Sequence, residues 1–437
     1  MVAREREGAQ GAHVYRYDME IKRVVITGLG ALTPLGNDVE STWSGLVTGK
    51  SGAAPITAFD CSQYKTQFAC EVKNWDPSKV ITDVKELRKL DRYHQLSVCS
   101  TAEAMRDAGF DRDKEDSTRM GVIWGSGMGG LINIEQGFGD YVRGDGTPRF
   151  SPFYIPKALI SMGAGWISLF YGLKGPSFTV TTACSSASHA IVQAFDYIRL
   201  GKADVIVTGG ADADVTYSGI GGFNSLHAIS MRNDSPETAS RPFSKSRDGF
   251  VLGEGSVTLV LEEYEHAKAR GAKIYGEIVG AAINSDAYHM TAPDPEGTGA
   301  VRVMQMALED ARIKPQEVDY INTHGTSTPI GDLAELKAIR QVFGEHVYEM
   351  NLDSTKSMTG HMIGAACAVE AMACILALKN GIVPPTINHA EDDEDENIDY
   401  RINFTFNKAQ ERDMTYAISN TFGFGGHNAC LVFKKYL

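Results

Sequence analysis

Short apolar runs alternate with amphipathic segments along most of the chain, and that alternation predicts a set of elements. Apolar and β-branched runs predict strands near Val24–Gly28, Met120–Gly125, Ser177–Thr181, Val205–Gly209 and Ser256–Leu261. A second series is predicted near Tyr275–Ala281, Tyr320–Thr323, Asn351–Thr355, Ile402–Phe406, Thr415–Ser419 and Ala429–Phe433. Helices fall between strands, near Val39–Thr48, Gln95–Ala108 and Ser185–Leu200, then near Gly299–Ala311, Leu333–Phe343 and Ile363–Lys379. Strands alternating with helices are the signature of an α/β fold with a largely parallel sheet.

The order of elements runs roughly twice. RVVITGLGALTP from Arg23 and KIYGEIVGAAINSD from Lys273 open alike, each a strand running into glycine and a loop, and the join lies near 265–273. Two similar halves are therefore expected, 19–270 and 271–437, with 126–176 and 211–250 as insertions on the first. Residues 1–18 are polar, lack the apolar segment of a secretory signal, and are set aside as an extension, disordered or non-native. The run EDDEDENID at 391–399 reads as a solvated loop.

Bulk properties narrow the function classes. A chain of 437 residues exceeds one ordinary hydrophobic core, and 43% hydrophobic against 22% charged residues excludes disorder. A net charge of −13 without a basic domain argues against nucleic acid as a partner. No apolar run approaches the roughly 20 residues that span a bilayer, so no membrane partner is expected. The seven cysteines show no disulfide or zinc spacing, which fits a reducing, cytoplasmic compartment.

The most informative segment is PSFTVTTACSSASHAIVQAFDYIRLG. A β-branched strand ends near Thr182, and from Ser185 apolar residues recur at helical spacing until Gly201 caps the helix. Cys184 thus sits at a strand-to-helix turn, where free N–H groups and the helix dipole favour a thiolate and can stabilise an oxyanion. The alternative is a buried packing cysteine, the reading given to Cys367 and Cys374 inside a helix of small residues. Two histidine segments favour the catalytic reading: VDYINTHGTSTPIGD places His324 at a strand end, and NLDSTKSMTGHMIGAACAVEA places His361 before a helix, with Lys356 upstream. Ligands bind beyond the carboxyl ends of strands in such sheets, so the three segments are expected to converge on one crevice. SNTFGFGGHNACLVF, with Phe422, Gly423 and Phe424, reads as an apolar lid, and SDAYHMTAPDPEG as a second mobile loop. Gly125–Gly130 matches G-x-G-x-x-G, but the helix expected after it is weak and no acidic partner follows a strand, so nucleotide binding is disfavoured.

TTACSSASHA, INTHGTSTPIGD, STKSMTGHMIGAA and FGFGGHN occur in this order. With them, the sequence from about Arg23 to the C-terminus resembles the elongating β-ketoacyl-[acyl-carrier-protein] synthases, and the AYHMTAPDPEG loop resembles the synthase II branch. The resemblance implies a thiolase-like fold, two duplicated α/β halves in a five-layered α-β-α-β-α arrangement, normally a homodimer. It implies that Cys184 accepts an acyl chain from acyl carrier protein, with the Cys184 and Phe424 N–H groups as oxyanion hole. His324 and His361 would then bind the malonyl thioester carbonyl and stabilise the enolate left by decarboxylation. Lys356 would pair with Glu370. Thr326 and Thr328 would contact the pantetheine arm, Met128 would line the acyl pocket, Phe422 and Gly423 would bind substrate, Phe424 would be the gate, moving with the Asn284–Pro293 loop, and Asp286 in that loop would play a supporting part. Lys85, Arg88 and Lys89 would dock the acidic carrier. No metal or organic cofactor is implied; the phosphopantetheine arm comes with the carrier. Two positions depart from the family pattern: His227, at a carrier-contacting arginine, and His427, at a small hydroxyl residue. A ketosynthase of polyketide or specialised lipid assembly would share the catalytic set, a non-catalytic chain-length factor would lack the nucleophile, and a nicotinamide oxidoreductase is the reading from another class.

Overall fold

Ten strands form one mixed sheet whose two halves repeat each other. The first half contributes β1 (Val24–Leu32), β2 (Met120–Gly125), β3 (Ser177–Val180), β4 (Val205–Asp212) and β5 (Gly255–Glu263). The second contributes β6 (Gly276–Ser285), β7 (Tyr320–Asn322), β8 (Asn351–Asp353), β9 (Tyr416–Gly423) and β10 (His427–Lys435). The order across the sheet is β8-β7-β9-β10-β6-β1-β5-β4-β2-β3. In the first half β1–β5 and β5–β4 are antiparallel while β4–β2 and β2–β3 are parallel. The second half repeats this in β6–β10, β10–β9, β9–β7 and β7–β8. The halves join where β6 pairs antiparallel with β1 over Gly276–Ile278 and Val24–Ile26. The computed structural model describes residues 2–7, 13–18, 21–111 and 114–437, the first two segments by main chain alone.

Helices complete the layers. α1 (Arg92–Ala108) covers the outer face of the first half; α2 (Ser186–Arg199) and α5 (Ala366–Asn380) lie between the halves; α3 (Thr298–Ala311) and α4 (Pro329–Phe343) cover the second half. Successive strand residues point to opposite faces. Accordingly Ala417, Leu431 and Phe433 enter the central core with α2 and α5, whereas Ile418, Cys430 and Val432 enter the outer core under α3 and α4. The result is the α-β-α-β-α arrangement. Ile363–Asn380 is apolar enough to cross a membrane by composition, and it is the buried middle layer.

Two expectations are corrected, and a third falls partly outside the described residues. Residues 402–406 form no strand: Thr405 turns to φ 52°, and Asn403 and Phe406 make only isolated bridges. Ile402 and Phe404 are buried in the outer core, so the alternation marks a loop that covers a core. The insertion 126–176 is helical, and a helix, Leu131–Arg143, does follow the Gly125–Gly130 motif. Of the extension 1–18, Val2–Glu7 and His13–Asp18 pair antiparallel in a separate ladder, and its other residues lie outside the described ones.

Candidate active site

The nucleophile turn is built by local geometry. After β3, Ala183–Ser185 make a single 3₁₀ turn before α2, and Ala183 is held at φ 49°. Positive φ is costly for a residue with a side chain and gathers at functional sites. The turn aims Cys184 into a cavity of about 550 Å³ that is also lined by Met128, Asp286, His324, Thr326, Thr328, His361, Phe422, Gly423 and Phe424. Gly201, at φ 69°, ends α2 as the sequence implies.

His361 Nε2 lies 3.0 Å from Cys184 Sγ. The His324 and His361 rings stand 5.6 Å apart at 89°. Each ring keeps an Nδ1 without a hydrogen-bond partner among the described residues. Burial pushes both imidazoles well below their ordinary value, and the nearby Lys356 ammonium pushes the same way, so both rings are neutral at physiological pH. Burial also pushes the Cys184 thiol up to about 12, against the N–H groups of Phe424 and Cys184 and the charge of Lys356. This corrects the expected thiolate. At this depth desolvation outweighs the N–H groups and Lys356, so the sulfur is favoured as a neutral thiol beside the imidazole. The same two N–H groups bear on the sulfur, where an oxyanion would form beside it.

Lys356 and Glu370 form a buried ion pair behind the histidines, with side-chain exposures of 2% and 1%. Neither lines the cavity. Burial raises the Glu370 carboxyl and Lys356 opposes that shift. Thr326 and Thr328 join hydroxyls at 3.0 Å on the cavity wall. Asp286 accepts from Asn428 Nδ2 at 2.6 Å, while its N–H donates to Gly426 O at 2.9 Å; the Gly425 N–H donates to Met290 O at 2.8 Å. The two expected gating loops are thus bonded to one another. His227 lines the cavity and His427 packs its ring over Gly425, 6.1 Å from the buried His189. Lys85, Arg88 and Lys89 lie apart from the cavity; Lys85 and Arg88 are exposed and Lys89 is tied to Glu86 at 2.6 Å.

Sequence reasoning missed two buried carboxylates that organise the site. Glu335 accepts the N–H groups of His324 and Gly325, both at 2.8 Å, and so fixes the histidine turn; burial raises it to about 7. A signal existed. Asp332, Glu335, Leu336, Ile339 and Phe343 fall on one buried stripe of α4, so two acids occupy core positions. The second is Asp212, which accepts from the N–H groups of Gly127 at 2.9 Å and Met128 at 3.2 Å and from Ser126 Oγ at 2.8 Å. It fills the donor set that a pyrophosphate would need at the Gly125–Gly130 loop, which removes the physical basis for dinucleotide binding there.

A thiol, two imidazoles and two N–H donors meeting at strand ends between duplicated halves define the class: a condensing enzyme with the thiolase-like fold. The comparisons agree. The family model "Beta-ketoacyl synthase, N-terminal domain" matches residues 21–267, and "Beta-ketoacyl synthase, C-terminal domain" matches 275–390. The chain belongs to the β-ketoacyl synthase family. It is 48% identical over 417 residues to the 3-oxoacyl-[acyl-carrier-protein] synthase 2 of Coxiella burnetii, covering 95% of this chain and 99% of the relative. A solved β-ketoacyl synthase from Burkholderia phymatum STM815 superposes with a TM-score of 0.87 at 37% identity, covering 95% of this chain and all (100%) of that one. The ketosynthase of the AntDE–AntF complex, a type II PKS acyl-carrier protein with its ketosynthase, gives a TM-score of 0.86 at 31% identity over 95% of this chain and 100% of that one.

Proposed function

We propose that this chain performs synthase II chemistry, extending an acyl chain held on Cys184 by two carbons from malonyl-carrier protein in fatty acid biosynthesis. The supporting observation is the thiol 3.0 Å from one neutral imidazole, with a second neutral imidazole facing it in a buried cavity. In the first half-reaction Cys184 Sγ bonds the acyl carbonyl carbon, and its proton passes to His361 and on to the departing carrier thiol. The N–H groups of Cys184 and Phe424 stabilise the oxyanion. In the second, the malonyl carboxylate leaves as CO₂, and the electron pair moves onto the thioester oxygen. Neutral imidazole N–H donors in the buried pocket answer that charge, His361 doing so in the tautomer with its proton on Nε2. The enolate carbon then bonds the acyl carbon and the Cys184 thiolate departs, taking up a proton. No metal or organic cofactor of this chain enters the balance.

Mass spectrometry after incubation with acyl-carrier protein tests the reading. One adduct on Cys184 is expected; acylation at another residue would overturn it. The AntDE–AntF likeness favours a second reading, polyketide assembly. Products extended repeatedly without intervening reduction would select it. The proposal extends to a carrier partner docked through exposed Lys85 and Arg88, to a reducing cytoplasm that keeps Cys184 a thiol, and to a homodimer. The dimer is supported by β3, whose outer edge is unpaired among the described residues, by Leu169, exposed on the helix packed against it, and by Ile134, Phe138 and Val142, exposed elsewhere in the helical insertion. Sedimentation as a monomer at micromolar concentration would remove the dimer.

A further inference from the structure

The proposed reaction uses Cys184, but a second sulfur touches the same turn. In an uninterrupted α-helix the N–H of Ser188 would donate to the carbonyl of Cys184, four residues back. Here the Ser188 N–H donates to Cys367 Sγ at 3.0 Å, and the Cys367 thiol reaches Cys184 O at 3.5 Å and Gly364 O at 3.6 Å. The thiol therefore bridges the nucleophile turn and the first turn of α2, accepting from the Ser188 N–H with the carbonyls of Cys184 and Gly364 both within reach of its one proton. Cys367 is fully buried and belongs to α5, which follows the segment that carries His361. The first turn of α2 has no side-chain cap of its own, so the sulfur from the opposite half satisfies a first-turn donor.

We propose that Cys367 is a positioning residue for the nucleophile: its thiol, spliced between the Ser188 N–H and the Cys184 carbonyl, fixes the turn that aims Cys184 and ties it to the histidine turn. The role needs a side chain that both donates and accepts at this length. Serine meets that requirement; valine, larger than cysteine by about one methyl group, meets neither half. The inference rests on Cys184 being the nucleophile, and the two can fail separately. Iodoacetamide alkylation of Cys184, read by peptide mass, should abolish condensation in the wild type; if it does not, the nucleophile assignment fails irrespective of Cys367.

The test compares Cys367→Ser and Cys367→Val. Leaving a buried donor and acceptor unpaired in Cys367→Val should lower kcat about tenfold with KM within about twofold, and should shift the pH profile of Cys184 alkylation. Cys367→Ser should restore kcat to within about threefold of the wild type and keep the profile. Wild-type kcat and profile in Cys367→Val, or equal losses in both variants, would overturn the proposal. Should Cys367→Val be insoluble, Cys367→Ser decides alone: a loss of more than about tenfold would show that sulfur volume, not hydrogen bonding, sets the turn.

Discussion

The two halves share strand order, strand direction and the turn that opens the central helix, yet the turns do different work. Ala183 stands at φ 49° before Cys184, and Ile363 stands at φ 47° before Gly364. In the first half only residues 181–182 separate β3 from its turn. In the second, residues 354–362 intervene between β8 and its turn, and that segment carries Lys356 and His361. The second turn has no room for a nucleophile: a Cβ on Gly364 would lie 2.6 Å from Gly127 N and 2.8 Å from Asp212 Oδ2. The loops after the paired strands β2 and β7 diverge likewise, one supplying Gly127 and Met128 to the cavity wall and the other His324. Duplication supplied two equivalent frames, and lengthening one strand-to-helix connection turned one frame into a nucleophile holder and the other into a base holder.

The comparison breaks most sharply at the two turns. Cys184→Ala should lower condensation by about 10⁴-fold or more, and adding Gly364→Cys should not restore it, because the second turn is closed by Gly127 and Asp212. Steady-state assay of both variants checks this; recovery in the double variant would show the turns to be interchangeable. The histidines come next. Each alanine variant should cost condensation about 10²–10³-fold, but only His361→Ala should also slow acyl transfer to Cys184, since among the described residues His361 is the ring hydrogen-bonded to the sulfur. Equal effects on acyl transfer, read by adduct mass against time, would dissolve the distinction.

Lys356→Met should destabilise the fold by about 3–5 kcal/mol by leaving Glu370 buried and unpaired, and Lys356→Met with Glu370→Leu should recover much of it. Denaturant unfolding of the three proteins measures this. The pH dependence has a definite sign. Burial raises the Cys184 thiol to about 12, so the reactive thiolate is a minor species at neutrality and grows with pH. Alkylation of Cys184 should rise about tenfold per pH unit from 7 to 9 with no plateau. A plateau near pH 7 would mean the sulfur is ionised at rest. The smallest effect separates the strained residues. Ala183→Gly should stabilise by about 1 kcal/mol or less by removing the positive-φ penalty. Ile363→Gly should destabilise by about 2–4 kcal/mol, because Ile363 packs with Phe250 and Leu252 and the cavity left behind outweighs the relief.

Much of this was legible in the chain. Strand ends and the C-terminal cap of α2 follow from period and glycine placement, which are local; Cys184 and His324 lie within about one turn of a strand end, and the motif that carries His361 begins at one. Glu335 and Asp212 were not legible as site residues because their partners are backbone N–H groups that folding brings within reach. The apolar alternation at 402–406 misled because burial, not pairing, produced it.

By itself the sequence determined the alternation of elements, the repeat, and which side chains can do the chemistry, since periodicity and residue type are properties of short segments. Only the tertiary structure decided the protonation of the site. A thiol raised to about 12 beside neutral imidazoles is a consequence of removing water from groups that are far apart in the chain, and no local pattern encodes that depth of burial.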